Sequence, residues 1–339
     1  MRKKSVSLSS IFYPRAIFGA EKAPVVAMYG KGKDKFQITF VEFGNDSIRR
    51  SETLTIPDKF NEINFRLRVS KRAEFSALIP PAYEKGDILL CRNISSSSSF
   101  DLRQLSFNEE ILNGIFVENA TGSGSPSMAI LLEERLLICH IDNERLIVKR
   151  ERKIESQDGH VSEMAVSECG RYICIAALNG VKIFHVSLQG DVEFMQSIGY
   201  QESNSILTVY IEKFNGIYHL IFSEMLGPLR AFRLEAGIFV PAWDIKWAGA
   251  HAKSVLKGLG QTTGLDTNEC LHVIINQLKP VRSMFHSIID YGGDEKNNTK
   301  MNRNGAPPTA GLFDSGGMIY FSQCNEETKS GEVLAAWLY

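Results

Sequence analysis

The sequence predicts an all-β fold, a seven-bladed β-propeller that occupies residues 1–339 as a single domain. Three observations predict it: a segment of four strands with the size of one blade, hairpin signals that recur at nearly constant spacing, and an N-terminal strand that supplies what the C-terminal blade lacks. A radial array of blades produces a regular repeat over a whole chain, whereas a sandwich or several separate domains do not.

The clearest blade is predicted for residues 159–198, which contain four short strands. Apolar residues alternate in the first strand, from Val161 to Val166. Asn179 and Gly180 separate two apolar strands and indicate a type I′ hairpin, because both central residues of that turn need φ > 0. Four antiparallel strands in about forty residues match one propeller blade.

Six further pairs of apolar strands flank a turn in the same way. With the first hairpin, the turn centres fall near residues 32, 85, 134, 180, 227, 279 and 328, which are 46 to 53 residues apart. The predicted turns lie at residues 30–34, 85–87, 133–135, 226–228, 278–280 and 326–331. The alternative is an all-β protein whose hairpins have no common arrangement, and the constant spacing favours the propeller.

The two ends of the chain are predicted to complete each other. If each hairpin is the second and third strand of its blade, the last blade reaches Tyr339 without a fourth strand. Residues 5–13 alternate as a half-buried strand. We expect them to pair with the strand that ends at Trp337 or to lie beside it, which closes the ring and removes the free sheet edges.

Residues 159–198 also resemble a WD40-type repeat. The resemblance rests on Gly159-His160 at the start, on Cys169-Gly170-Arg171-Tyr172 at the turn where such repeats have an Asp-Gly-Arg-Tyr-like sequence, and on Val181-Lys182-Ile183-Phe184-His185 in place of Val-x-Ile-Trp-Asp. Elsewhere the likeness is limited to the strand pattern, and no repeat contains the Trp-Asp pair. The resemblance implies a WD40-like seven-bladed propeller.

A second resemblance, through residues 167–198, is to the lactonase-type seven-bladed propellers. Those proteins have Gly-Arg-Tyr, an apolar strand, a Gly turn, Val-x-Val-Phe and a Gly-containing turn before the fourth strand. The resemblance implies an enzyme that acts on lactones or related cyclic acids with His, Arg and Glu on the channel face. None of these functional residues can be matched to a position in this chain.

Composition excludes several partners. Lys and Arg number 38 against 39 Asp and Glu, so no bulk charge attracts nucleic acid or an anionic membrane. Residues 1–20 start with basic residues but contain no apolar core of a signal peptide, and no apolar run approaches the ~18 residues of a spanning helix. The six cysteines form no C-x-x-C pair. We expect an intracellular protein, cytoplasmic or nuclear, with no membrane.

The sequence predicts no catalytic residue, cofactor or metal. It contains no Gly-rich phosphate loop, H-E-x-x-H, G-x-S-x-G or paired-Cys zinc spacing. Histidines recur in or beside the hairpin strands, where equivalent positions in a ring would converge on the channel and hold a metal or act as a general base. The alternative is that they are ordinary interior or edge residues. They are His140, His185, His219, His272 and His286.

One aromatic cluster is a candidate partner-binding surface. Phe239, Trp243 and Trp247 crowd between two hairpins, and a short helical turn would place the two tryptophans on one face. Tryptophan is enriched among residues that dominate binding energy. The alternative, which we favour, is that these aromatics pack between neighbouring blades.

A polar segment is the second candidate. Residues 292–311 have no apolar periodicity and are predicted to form a mobile loop insertion in the last blade. Lys296, Lys300 and Arg303 in this loop are candidates for contact with an acidic partner, and the alternative is a solvated insertion with no partner.

These observations predict a non-catalytic scaffold that binds one or more proteins, as a subunit of a larger intracellular complex. A propeller presents two loop faces on a rigid disc and needs no special residues for this use. The alternative is a lactonase-like or cycloisomerase-like enzyme that uses the central channel. A nucleic-acid-binding propeller is disfavoured by the neutral charge, and no small molecule is assigned.

Overall fold

The structure is a computed structural model, which describes most of the chain with gaps. The described residues are 3–8, 13–19, 25–32, 34–43, 48–60, 65–70, 72, 74–80, 85–92, 101–117, 127–142, 145–154, 161, 163–177, 180–187, 189–199, 206–225, 227–248, 250–259, 269–277, 283–290, 292–300, 310–313, 318–325 and 330–337.

Almost all of the described chain is β-strand, as predicted. In these ranges the single helical element is a short 3-10 turn, η1, at Asp58–Phe60. Within the same ranges, no helix has the length and apolar character needed to cross a membrane.

The strands of each sheet that are consecutive in the chain are antiparallel neighbours, and the first strand of the chain pairs with the last. They are β1 (Lys3–Leu8), β2 (Tyr13–Gly19), β3 (Val25–Lys31), β4 (Phe36–Phe43), β5 (Ile48–Thr55), β6 (Arg66–Val69), β7 (Phe75–Ile79), β8 (Lys85–Arg92), β9 (Asp101–Val117), β10 (Ser127–Leu132), β11 (Arg135–Asp142), β12 (Arg145–Lys153), β13 (Glu163–Val166), β14 (Tyr172–Ala177), β15 (Gly180–Val186), β16 (Val192–Gly199), β17 (Ile206–Phe214), β18 (Ile217–Glu224), β19 (Leu229–Glu235), β20 (Ile238–Ile245), β21 (Ala250–Leu259), β22 (Glu269–Gln277), β23 (Ser283–Asp290), β24 (Glu295–Lys300), β25 (Ala310–Phe313), β26 (Met318–Asn325) and β27 (Ser330–Trp337).

These strands form antiparallel sheets of a repeating kind. Five described sheets have four strands each: β2–β5, β13–β16, β17–β20, β21–β24, and a sheet in the order β1-β27-β26-β25. The remaining sheet has seven strands in sequence from β6 to β12. The architecture is therefore an all-β, propeller-like arrangement of small sheets.

The hairpins predicted from the sequence are the central pairs of these sheets. β3–β4, β10–β11, β14–β15, β18–β19, β22–β23 and β26–β27 each pair across a predicted turn. The turn predicted at residues 85–87 is wrong, because β8 begins at Lys85 and the hairpin reverses between Ile79 and Lys85. Pro80 ends the preceding strand, since proline donates no ladder hydrogen bond.

Gly180 explains why the hairpin between β14 and β15 is so distinct in the sequence. Its φ is 143°, and a Cβ built there would lie 2.3 Å from the carbonyl oxygen of Ile198 on β16. Only glycine combines that backbone conformation with so close an approach of the neighbouring strand. Glycine at this position therefore allows both the tight hairpin turn and the close packing of β16 beside it.

Separate hydrophobic clusters lie between consecutive sheets. Buried residues of β3 and β4 pack with those of β6–β8, those of β9–β11 pack with β13–β15, those of β13–β15 pack with β17 and β18, and those of β17–β19 pack with β21–β23. Side chains on one face of a strand thus fill one interface while those on the other face fill the next. This is why the central strands are apolar at nearly every position.

The seven-stranded sheet is folded at β9 rather than flat. Residues 101–110 of β9 pair with β8, and residues 111–117 of β9 pair with β10. The first half of the sheet therefore comprises β6, β7, β8 and residues 101–110, and the second half comprises residues 111–117 and β10–β12. Ile79 and Leu90 of the first half pack in one cluster with Ile130 of the second half. β7 and β10 are three strand spacings apart in a flat sheet, so this contact requires the two halves to face each other.

The N-terminal strand pairs with the last strand of the chain. Lys3–Leu8 runs antiparallel to residues 331–336 of β27. The predicted partner strand is therefore correct, but the predicted segment 5–13 is divided between β1 and the start of β2. Both ends of the chain thus contribute to one four-stranded sheet.

The predicted loop at residues 292–311 is wrong over its first part. Glu295–Lys300 forms β24, the outer strand of its sheet, paired with β23. Asp290 creates the turn between them, because its Oδ1 accepts hydrogen bonds from the amides of Gly292 and Asp294, both at 2.9 Å. An outer strand has little apolar surface to cover, so it shows no apolar periodicity. Residues 301–309 lie outside the described part of the chain.

Candidate functional site

Four polar side chains meet where the first strands of three consecutive units approach one another. They are Arg66 and Arg68 on β6, Asn113 on the second half of β9, and Glu163 at the start of β13; we call them the inner-strand cluster. β6 contacts β9, and β9 contacts β13. The cluster therefore lies on strands that begin successive four-strand units and contact one another; we call these the innermost strands.

Strand alternation places the two arginines together. Leu67 and Val69 face the hydrophobic cluster shared with β3 and β4, so Arg66 and Arg68 face the other way. Arg68 is only 8% exposed, and Arg66 is half-buried. Their side chains reach past β9 to β13.

Arg66 is held by backbone carbonyls. Its Nη1 donates to the carbonyl oxygen of Leu112 at 2.9 Å, and its Nη2 donates to that of Val161 at 3.5 Å. Burial lowers the pKa of this guanidinium, and the neighbouring Arg68 adds to that effect while Glu163 opposes it. The positive charge of Arg66 is thus solvated by neutral peptide groups.

Arg68 is held by a carboxylate and an amide. Its Nη2 forms an ion pair with Oε1 of Glu163 and a hydrogen bond with Oδ1 of Asn113, at 3.4 Å for the latter. Its Nε donates to the carbonyl oxygen of Gly114 at 3.2 Å. Oε1 of Glu163 also accepts the amide hydrogen of Met164 at 3.0 Å. These contacts connect three innermost strands.

A second candidate surface lies at the outer edge of the molecule, between β12 and β16. Ile147 is 38% exposed and Phe194 is 51% exposed. Ile147 is opposite His140 on β11, and Phe194 is opposite Phe184 on β15. Both lie on the side of their sheet that faces the hydrophobic core between β9–β11 and β13–β15. They therefore line the outer opening of this interface between two sheets, which we call the rim groove.

The rim groove is bordered by exposed cations on β12. Arg150 lies on the same side as Ile147 and forms an ion pair with Asp191, with Nε and Oδ1 3.2 Å apart. Its Nη2 also donates to the carbonyl oxygen of Gln189 at 3.2 Å. Four cations are exposed along this strand, namely Lys149, Arg150, Arg152 and Lys153. Of these, Arg150 and Arg152 lie on the groove side of the strand, so the groove combines exposed apolar surface with positive charge.

The predicted aromatic cluster is divided between two interfaces. Phe239 is 2% exposed and packs in the core between β13–β16 and β17–β20. Trp243 and Trp247 are partly buried against the next core, between β17–β20 and β21–β24. Nε1 of Trp247 is buried and has no hydrogen-bond partner in the described part of the chain. This packing agrees with the alternative given from the sequence, and a partner-binding role stays a prediction.

A β-bulge separates Phe239 from Trp243. Ala231 pairs with Trp243 and Phe232 pairs with Pro241, so Ala242 is an extra residue in β20. A bulge changes the face to which the following side chains point. The helical turn predicted for Trp243 and Trp247 is wrong, because β20 continues to Ile245.

The basic candidates lie on or beyond β24. Lys296 and Lys300 are residues of this outer strand, and their side chains lie outside what the structure describes, as does all of Arg303. Their contact with an acidic partner stays a prediction.

The histidines of the hairpin strands do not converge on the innermost strands. The five histidines lie on central strands of their sheets: His140 on β11, His185 on β15, His219 on β18, His272 on β22 and His286 on β23. In the described residues, no group of three or more His, Cys, Asp or Glu side chains is arranged to hold a metal ion. His251 is on an innermost strand, β21, and its side chain is not described.

Sequence reasoning missed both the inner-strand cluster and the rim groove. The signal for the first was Arg66-Leu67-Arg68, two cations at alternate positions of an apolar strand. The signal for the second was residues 145–153, a strand with two exposed apolar residues followed by a basic run. Neither pattern indicates which strands meet in space.

Comparisons with known proteins identify the fold alone. No known family's sequence profile matches the chain. No curated protein sequence matches it either. The chain is similar in structure to the β-propeller domain of Cps50 (Swd1) from Myceliophteria thermophila, with a TM-score of 0.58, 9% sequence identity and coverage of 98% of both chains. It is also similar to a protein from Lactobacillus plantarum, with a TM-score of 0.58, 11% identity and coverage of 85% of this chain and 84% of that one. The chain has a β-propeller fold, as the sequence predicted.

Proposed function

We propose that this protein is a non-catalytic scaffold that binds other proteins, as a subunit of a larger complex in the cytoplasm or nucleus. The observation that carries the proposal is the rim groove, where exposed Ile147 and Phe194 lie beside Arg150 and Arg152. Exposed apolar surface bordered by polar residues is typical of protein interaction sites. The similarity to a β-propeller domain supports a rigid fold with several accessible surfaces.

We further propose seven blades in a closed ring. The folding of the long sheet at β9 supports counting it as two blades, with the first half of β9 ending one blade and the second half beginning the next. The first strands contact one another in sequence from β2 through β6, β9, β13, β17, β21 and β25, and β25 contacts β2. β1 would then be the outer strand of the last blade.

The groove favours a partner segment that is acidic and carries apolar side chains. Ile147 and Phe194 offer apolar contact area, and Arg152 lies on the same side of β12 as Ile147. The free edge of β12 is poorly suited to pair with a strand of a partner, because it contains a β-bulge. Lys149 is the extra residue, between the pairs Cys139–Val148 and Ile138–Arg150. Bulges and lysine on an edge strand oppose β-sheet extension. We therefore propose side-chain contact in the groove and no added strand.

Affinity purification with quantitative mass spectrometry tests the proposal. The test variant carries Ile147→Ser and Phe194→Ser. The matched control carries Ile217→Ser and Ile238→Ser, two isoleucines of similar exposure, 46% and 53%, which begin β18 and β20 directly after tight turns of another sheet. We expect the test variant to lose at least one partner by about tenfold or more, as expected when central contact residues are removed, while the control retains it.

The acidic region of that partner is then prepared as a purified peptide, and its affinity for the protein is measured. We expect direct binding to the wild-type protein in fluorescence anisotropy, with a dissociation constant that rises with salt concentration. Equal partner sets for the test and control variants, or a peptide affinity independent of Phe194, would contradict the rim groove as the binding surface.

A further inference from the structure

We infer that the inner-strand cluster binds a carboxylate group through Arg66 and Asn113. The inference does not depend on the rim groove, which lies on the outer strands of the same region. It rests on a charge that no described residue compensates and on a buried hydrogen-bond donor that has no acceptor among the described residues.

The charges within the cluster do not cancel. Arg68 is paired with Glu163, whereas Arg66 donates to two neutral carbonyl oxygens. In the described part of the chain, the charged groups that act on Arg66 are Arg68 and Glu163. Among the described residues, two guanidinium groups thus share one carboxylate, and one positive charge is left over in a half-buried position. A bound anion would balance it.

The donors of the cluster also exceed its acceptors. Oδ1 of Asn113 accepts the amide hydrogen of Gly114 at 2.8 Å and a hydrogen of Arg68 Nη2 at 3.4 Å. Two donors on one atom fix the orientation of the amide and identify the other atom as Nδ2. Asn113 is fully buried, and its Nδ2 has no acceptor among the described residues. Buried donors in folded proteins are nearly always bonded, so this amide is poised for an acceptor.

The size of the charge selects the class of anion. A guanidinium group presents a planar fork that matches carboxylate and phosphate oxygens. A carboxylate carries one negative charge, equal to the excess in the cluster. A phosphate with nearly two charges would place surplus negative charge beside Glu163, which is repulsive. The carboxylate belongs either to a small organic acid or to an acidic side chain inserted from a partner segment, and the chemistry of recognition is the same.

Thermal unfolding at constant ionic strength tests the site. Sodium chloride is replaced stepwise by sodium acetate, by sodium phosphate, or by a short peptide that contains glutamate. The variants are Arg66→Gln and Asn113→Asp, and the control is Arg150→Gln, an exposed arginine of the rim groove. Asn113→Asp supplies a carboxylate within the cluster and keeps the shape of the side chain.

We expect acetate to raise the melting temperature of the wild-type and Arg150→Gln proteins in a saturable manner. Asn113→Asp should raise the melting temperature without acetate and remove the response to it, and Arg66→Gln should remove the response. A peptide response that also needs Arg66 would identify a partner side chain as the source, and an acetate response alone would identify a small acid. A larger response to phosphate, an acetate response that persists in Asn113→Asp, or no response in the wild-type protein would overturn the inference.

Discussion

The inner-strand cluster and the rim groove lie at opposite ends of the same sheets, and their charges serve different purposes. At the inner end, Arg68 is almost buried and bonded to Glu163 and Asn113. At the outer end, Lys149, Arg150, Arg152 and Lys153 of β12 are exposed to solvent, and Arg150 forms an ion pair with Asp191 beside the neighbouring sheet. The same strand alternation produces both regions. Position within the sheet decides whether a cation joins strands or remains available to a partner.

Breaking the inner ion pair should have a larger effect on stability than removing an exposed side chain of the rim groove. Glu163→Gln leaves Arg68 buried without its carboxylate, and we expect a loss of about 2–3 kcal/mol, below the range for fully buried pairs because Glu163 is partly exposed. Urea unfolding measures it. Glu193→Gln on exposed β16 is the control and should change stability by less than about 0.5 kcal/mol. Equal, small losses for both variants would remove the distinction between the two regions.

A strained turn offers a stabilising change away from both regions. Ala236 has φ 46°, in the left-handed region, and it is exposed between β19 and β20. Ala236→Gly relieves that strain, and we expect a gain of about 0.5–1 kcal/mol after the entropy cost of glycine. Gly237→Ala in the same turn, where φ is 86°, should lose stability instead. A gain from Gly237→Ala would contradict the assigned turn geometry.

The central strand β18 contains a histidine whose titration should make stability depend on pH. Burial lowers the pKa of His219 below its ordinary value of 6.5, and the nearby Arg233 adds to this. The folded state therefore binds fewer protons than the unfolded state, so stability is full above pH 6.5 and falls as the pH drops from there toward the folded-state pKa. We expect the melting temperature to fall in that window. The fall should be smaller in His219→Asn, and an identical pH profile for this variant would assign the effect to other groups.

The smallest stability change is expected in the rim groove. Phe194 is half-exposed and stacks edge-on against Phe184, with ring centroids 5.8 Å apart. Phe194→Ser removes one such contact at the surface, so we expect a loss of at most about 1 kcal/mol. Phe184→Ser at the buried end of the same pair should cost several times more. Similar losses for the two variants would show that Phe194 is part of the core.

The central hairpins could be predicted because apolar runs and turn residues are local signals. Asn179-Gly180 and the apolar runs around it define one hairpin without reference to the rest of the chain. The position of β1 beside β27 could also be predicted, since the last sheet lacked a strand.

Long-range features could not be predicted from local patterns. The contact between Arg66 and the carbonyl of Val161 joins residues 95 positions apart. The bulge at Ala242 separates two aromatics that alternation alone would place together, and the adjacent Pro241 is equally compatible with a regular edge strand. The outer strand Glu295–Lys300 is polar throughout, so its composition matches that of a loop.

The central claim is that the outer opening between β12 and β16 is the binding surface. Hydrogen exchange of the free and partner-bound protein tests this claim most directly. We predict that partner binding slows amide exchange in residues 145–153 and 192–199, with unchanged exchange in the turns that precede Ile217 and Ile238. Protection confined to those turns, with unchanged exchange along β12 and β16, would contradict the account.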